Sequence, residues 1–236
     1  MCTVTFIATK TGAIITSNRD EHILRVALPP QIYLYNQKSI IYPKDVTAGG
    51  TWYATDGSSK VIVLLNGGAE KHAHKPPYRR SRGLIVLDLI SAENTISEWQ
   101  IIDLINVEPF TIVFFSENNL HQLQWNGAVK SQLELDASKN HIWSSSTLYD
   151  AAIRTQRAEW FAAFLEKEAT LSPQKMFDFH RYTENSDAKN GLVISRNEVL
   201  KTLSITQTII DEIGVEIHYY DLISAEKFTV SNEQPI

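Results

Sequence analysis

The sequence predicts an α+β fold built from many antiparallel strands. Three observations carry that expectation. Short apolar and β-branched runs recur before Asn66, again between Phe110 and Ser146, and again after Leu192. Helical spacing is confined to two stretches, one after Ser81 and one after Tyr149. The chain does not alternate strand and helix as a parallel α/β protein would. No internal repeat, low-complexity stretch or Gly/Ser linker divides it, so one domain over residues 1–236 is the simplest reading.

The elements follow in order. Thr3 to Thr9 alternates Thr with apolar residues, the period-2 pattern of a strand. Lys10-Thr11-Gly12 reads as a turn and Ala13 to Ser17 as a second strand, giving a hairpin over residues 2–18. Ile32 to Tyr42 is strand-like, broken near Asn36. Thr51 to Thr55 and Val61 to Leu65 flank Asp56-Gly57, a short-range hairpin signal. Gly67 to Arg80, with Pro76-Pro77, reads as a loop. Leu84 to Ala92 is predicted helical, and Asn94 to Ile105 a second short helix. Phe110–Phe115, Leu120–Trp125 and Val129–Leu135 read as successive strands, and Trp143 to Ser146 ends another. Tyr149 to Glu168 is helical by spacing, with Ala152, Ile153, Trp160, Phe161, Phe164 and Leu165 on one side and Arg154, Arg157, Glu159 and Lys167 mostly opposite. Ser172 as N-cap and Pro173 at the first position predict a helix to Tyr182. Leu192–Ser195, Thr202–Ile210 and Val215–Leu222 close the chain as strands.

Composition excludes several function classes. Lys plus Arg number 22 and Asp plus Glu 27, for a net charge of -5. Without a basic excess or a polybasic run, non-specific nucleic-acid binding is not expected. No apolar stretch approaches the ~20 residues that span a bilayer. The first thirty residues lack the basic start and continuous apolar run of a signal peptide, which makes the cytoplasm the expected compartment. The one cysteine, Cys2, can form no intramolecular disulfide and no multi-cysteine zinc site.

The position of Cys2 matters more than the count. Removal of Met1, expected before a small residue, leaves a thiol and a free α-amine on one residue. A two-residue loop at Lys10-Thr11 pairs Thr9 with Gly12 and, further down the hairpin, Cys2 with Arg19. A one-residue shift would put Cys2 opposite Asp20 or Glu21. Either way Asn18-Arg19-Asp20-Glu21 lies beside Cys2. A free thiol titrates near ~8.5 and an α-amine near ~7.7–8.0, so the amine can take the thiol proton. A nearby guanidinium favours the thiolate, and a carboxylate holds the guanidinium or amine in place. This is an activated nucleophile with the terminal amine as base. The plain alternative is an incidental cysteine beside a surface ion pair.

Met1-Cys2 before a strand, then Asn18-Arg19-Asp20-Glu21, resembles the NRDE family, the transport and Golgi organisation protein 2 homologues. Ala48-Gly49-Gly50-Thr51-Trp52, Leu64-Leu65-Asn66, Ser81-Arg82-Gly83 and Trp143 to Leu148 follow in the family's order, so the resemblance spans the chain. That family is in turn similar to N-terminal-nucleophile hydrolases of the penicillin V acylase and bile salt hydrolase type. The resemblance implies a four-layer αββα fold and cleavage of a linear amide. It implies Cys2 as nucleophile, Arg19 and Asp20 as its flanking pair, and Asn66 as an oxyanion-hole donor. Two positions depart: Ser145 stands where the hydrolases have Asn, and Ile205 where an Arg is expected.

Asn18, Ser145 and Arg82 are the candidate substrate-binding residues, the last because Arg79, Arg80 and Arg82 could meet an anionic group. His22, His72 and His74 lack a carboxylate at ligand spacing and read as solvated loop residues rather than a metal site. Ser144 to Ser146 lack a nucleophile-elbow context. The expected function is a thiol-dependent hydrolase of a small linear amide, without cofactor. The alternative is a non-catalytic carrier of an acyl compound or haem on the same scaffold. The sequence does not give the oligomeric state.

Overall fold

The computed structural model describes residues 3–233, so Cys2 lies outside the described residues. Two seven-stranded antiparallel sheets form its centre. The first contains β1 (Thr3–Ala8), β2 (Ala13–His22), β10 (His141–Ser144), β11 (Ser195–Arg196), β12 (Leu200–Ile210), β13 (Gly214–Asp221) and β14 (Lys227–Glu233). Its order is β10-β1-β2-β12-β13-β14, with β11 on β12. The second is a run of neighbours: β3 (Ala27–Tyr35), β4 (Lys38–Asp45), β5 (Tyr53–Thr55), β6 (Val61–Asn66), β7 (Phe110–Ser116), β8 (Asn119–Trp125) and β9 (Lys130–Leu135). Helix α1 (Arg82–Ser91) covers β4, β5 and β6, with α2 (Thr95–Ile101) against α1. Helix α3 (Ala151–Lys167) packs on β10, and α4 (Pro173–Tyr182) on β2 and β12. The layers are therefore αββα, as the resemblance implied.

Strand alternation sorts the core. Val4, Phe6, Ala13 and Ile15 join the main cluster, and Phe6 meets Phe115 across the sheets at 5.1 Å between ring centroids. Ile7 and Ile14 point the other way, into a second cluster with Phe161, Met176 and Phe179 of α3 and α4. A central strand of such a sandwich is covered on both faces, and β2 is buried from Ala13 to Asp20.

The first hairpin has the expected register: Val4 faces Ser17 and Ala8 faces Ala13, with the Thr9 N–H donating to the Gly12 carbonyl. Helix α4 has the expected bounds, and the Ser172 side chain accepts from the Lys175 N–H. Elsewhere the structure differs. The break expected near Asn36 is there, at Asn36-Gln37, both at positive φ, but the two pieces it separates are longer than Ile32 to Tyr42. The Asp56-Gly57 turn is a longer loop in which Asp56 Oδ1 accepts from the N–H groups of Ser58, Ser59 and Lys60. Helix α2 stops at Ile101. Strand β14 was not anticipated, and Leu192 to Ser195 contributes only the start of β11. Arg157 is a correction of another kind. It is fully buried, one turn from Ile153 and from Phe161, on the covered side of α3 rather than opposite it.

Candidate functional site

The sequence motifs meet at one end of the sandwich. The Ala48 to Thr51 turn lies against the start of α1, where the Thr51 N–H donates to the Gly83 carbonyl at 3.2 Å. A Cβ on Gly50 would sit 2.4 Å from the Gly83 carbonyl carbon, which explains why two separate motifs carry glycine. Ser81 caps α1 by accepting from the Gly83 N–H. The ends of β2, β4 and β6 complete a cavity of about 300 Å³, lined by Arg19, Glu21, Arg25, Trp52, Asn66 and Arg82 among others.

This cavity is strongly charged, and most of its charges are paired. Arg25 bridges Glu21 at 3.2 Å and Asp45 at 2.8 Å. Arg80 pairs with Asp88, and Arg82 with Glu108 at 2.9 Å. Arg19 differs from these three. It is 3% exposed, its guanidinium carbon lies 4.2 Å from the Trp52 ring centre, and its Nη1 donates to the Arg25 carbonyl. Among the described residues its Nη2 has no hydrogen-bond partner. Burial lowers its affinity for the proton, an effect opposed chiefly by Glu21. Burial does the same to Arg82, opposed by Glu108.

Glu108 was not singled out in the sequence. Besides Arg82 it holds His72 Nε2 and His74 Nδ1, at 3.1 and 3.2 Å from its Oε1. The loop expected to be solvated is therefore pinned beside the cavity by a carboxylate remote in sequence. His22 is elsewhere, accepting from the Leu24 N–H. Among the described residues no three side chains are grouped to hold a metal. Arg79 pairs with Asp103, so Arg79, Arg80 and Arg82 all have carboxylate partners.

Asn66 lines the same cavity as Arg19, from the other sheet. Its carbonyl accepts from Ser145 Oγ at 2.7 Å, and Ser146 Oγ donates to the Gly68 carbonyl at 2.8 Å. Gly67, at φ +90, passes so close that a Cβ would lie 2.2 Å from Ser146 Oγ. Ser145 is thus buried beside Asn66, its hydroxyl donated to backbone. On its far side a second cavity of about 430 Å³ opens between the sheets, lined by Thr111, Gln122, Gln124, Trp143 and Ser144 and reaching Arg154 of α3.

Alternation separates the NRDE residues. Arg19 and Glu21 face the first cavity, whereas Asn18 and Asp20 face the α3/α4 layer. Asn18 is 0% exposed, and its Nδ2 donates to the carbonyls of His180 and Leu192 at 3.1 and 2.7 Å. It was expected to meet substrate, and its side chain lines neither of these cavities. Asp20 accepts from the Tyr149 hydroxyl and from Thr202 Oγ1, both at 2.7 Å. Between Thr202 and Ser204 the pairing of β12 with β2 shifts register, so Thr202 faces Asp20 and Ser204 faces Arg19. Ile205 faces Asn18 and Tyr220, whose ring packs at a tilt against Phe177 of α4. Position 205 therefore points to the helix layer, and an Arg there would not add charge to the first cavity.

Four layers with this strand order are the fold of N-terminal-nucleophile hydrolases, and three solved structures share it at low sequence identity. The Caenorhabditis elegans N-acylethanolamine-hydrolyzing acid amidase ortholog superposes with a TM-score of 0.61 at 11% identity, over 88% of this chain and 92% of that one. Penicillin V acylase from Agrobacterium tumefaciens gives 0.57 at 7%, over 98% and 86%. A mutant conjugated bile acid hydrolase from Clostridium perfringens gives 0.56 at 7%, over 98% and 92%. No functionally curated protein matches the chain. Residues 1–220 match the family Transport and Golgi organisation 2, and the chain belongs to that family.

Proposed function

We propose that this protein is a thiol-dependent hydrolase that cleaves the C–N bond of a small linear amide through Cys2. One observation carries the reading: a single cavity is walled by Arg19 from one sheet and Asn66 from the other. The hairpin register supports the expectation that residue 2 faces Arg19. The amidases and hydrolases that share the fold support the reaction class.

In this reading Met1 is removed and the Cys2 α-amine takes the thiol proton. The thiolate attacks the amide carbonyl beside the Arg19 charge, and the Asn66 amide donates to the developing oxyanion. Collapse expels the amine, which leaves with the proton held by the Cys2 ammonium. Water, deprotonated by the same amine, then releases the acid from the thioester. Asp20 holds the terminal amine, while Arg82 and Ser145 shape the walls that receive the substrate. The lone thiol suits a cytosolic setting. No described helix is long and apolar enough to cross a membrane.

The test is alkylation of Cys2 together with turnover of an N-acyl amide panel by wild type and Cys2→Ala. Fast alkylation at neutral pH and turnover lost in the variant are expected. A carrier of an acyl compound or haem would bind its ligand equally in both proteins without turnover, and that result would replace the hydrolase reading.

A further inference from the structure

Apart from Ser145, the second cavity takes no part in the reaction above, and one of its walls is an open sheet edge. Strand β10 ends the order of the first sheet, and among the described residues it pairs with β1 alone. Ile142, Trp143 and Ser144 line the cavity in succession. Successive strand residues point to opposite faces, so a cavity that touches all three passes round the free edge of the strand. Such an edge presents the N–H and C=O groups of alternate residues, unpaired. The opposite wall carries one open donor and one open acceptor. The Gln122 side-chain oxygen accepts from the Trp143 indole at 2.9 Å, which leaves the Gln122 amide N–H groups. The Gln124 amide nitrogen donates to Thr111 Oγ1 at 2.9 Å, and that hydroxyl donates to the Gly67 carbonyl, which leaves the Gln124 oxygen. Two residues apart on β8, these side chains share a face, and the pair complements the C=O and N–H of an amide. Arg154 supplies a cation. Its Nη1 donates to the Ala69 carbonyl at 2.9 Å, and its Nη2 is 3.7 Å from Glu70, whose side chain is 84% exposed. Its Nε is buried and has no hydrogen-bond partner among the described residues. An exposed carboxylate at that distance is weakly held, and a ligand carboxylate that reaches Nε as well displaces it.

We propose that this cavity binds an extended amide chain with a terminal carboxylate, of the class of an N-acylated dipeptide. The chain lies along β10 as an added strand, an amide of it meets Gln122 and Gln124, and its carboxylate sits on Arg154. A volume of about 430 Å³ is within the range of small-ligand sites. A purely apolar tail suits the lining badly. It would cover the Gln122 and Gln124 amides and Arg154 Nε without pairing them, each at the cost of an unmade hydrogen bond. The site is built without residue 2, so it goes beyond the hydrolase reading and does not rest on it.

The probes are N-acetyl-alanyl-alanine, its C-terminal amide, and the same acid methylated on the nitrogen between the two alanines. They are titrated into the Cys2→Ala protein, in which no turnover through residue 2 consumes them. The readout is the indole N–H of Trp143 in a proton–nitrogen NMR spectrum, assigned among the five tryptophans with Trp143→Phe. That N–H is bonded to Gln122, so filling the cavity moves its signal. The expected result is a saturable shift with the acid, and roughly tenfold weaker binding of both the amide and the N-methyl acid. Arg154→Met should bring the acid down to the affinity of the amide and leave the amide unchanged. If Arg154→Met does not fold, the comparison of acid with amide decides. Equal affinity for acid and amide, or for the acid and its N-methyl form, overturns the inference, as does an unmoved Trp143 signal at ~10 mM acid. Decanoate binding where the dipeptide does not also overturns it, and gives the cavity to an acyl chain. Failure of the hydrolase reading, seen as slow alkylation of Cys2 and no turnover in the wild type, leaves each of these outcomes unchanged.

Discussion

Acid should loosen this fold through one histidine, and the structure sets both the sign and the size. His180, on α4, is fully buried against β1 and β2, beside Thr5 and Asn18. The Asn18 amide nitrogen is committed to two carbonyls, so its oxygen faces His180 Nδ1, which must carry the proton. Nε2 is then the acceptor for the Thr5 hydroxyl at 2.8 Å. A second proton would cost the ring its acceptor for the Thr5 hydroxyl. Burial, with the Arg157 charge adding to it, pushes its pKa down to about 3. The unfolded chain takes up a proton near ~6.5, so between that value and about 3 the unfolded state binds more protons. The stability is fully present above ~6.5 and is lost as pH falls, by about 2 kcal/mol between pH 7.5 and pH 5. Carboxylates remain mostly ionised in that window, which keeps the contribution separable. Urea unfolding at fixed ionic strength at pH 7.5, 6 and 5 measures it, with His180→Gln as the reference. The wild-type protein should lose about 2 kcal/mol more than the variant across the window. Parallel pH dependences would refute the assignment of a neutral, doubly bonded imidazole.

Two further outcomes are expected. Asn18→Ala should cost roughly 3–5 kcal/mol in urea unfolding, because two carbonyls and the His180 N–H lose their partner; a variant of near-wild-type stability would return Asn18 to the list of substrate contacts. Gly50→Ala should lower the melting temperature more than Gly49→Ala, since its Cβ would meet the Gly83 carbonyl carbon at 2.4 Å whereas Gly49 has open space and only a positive φ of 71 to preserve; the reverse order would show that the turn and α1 can separate.

The sequence made local structure legible and left remote contacts hidden. The first hairpin could be registered because Lys10-Thr11 leaves little choice of turn, and α4 because Ser172 and Pro173 announce its start. The faces of β2 were harder to assign. It is apolar or small on both sides up to Ser17, so no polar face showed that Asn18 and Asp20 turn away from Arg19. Arg157 carried a weak signal, a charge in the row of Ile153 and Phe161. Glu108 carried none, since what matters is its meeting with His72, His74 and Arg82 across the chain. Position 205 shows the limit of motif comparison: the expected Arg was missing, but strand alternation decides which side it would have faced.

The join between Asn66-Gly67-Gly68 and Ser145-Ser146 has a mechanical consequence. Apolar faces have no preferred angle, and two greased sheets could rotate or slide a little at small cost. Hydroxyl-to-carbonyl bonds have direction and length. Ser145 and Ser146 fix the sheets like dowel pins at the open end, while the Tyr53 hydroxyl on the Ile15 carbonyl and Trp143 on Gln122 fix them further in. The two cavities lie on either side of the pins. Neither can widen by parting the sheets without unseating them, so any change in cavity size has to come from the loops at the rim.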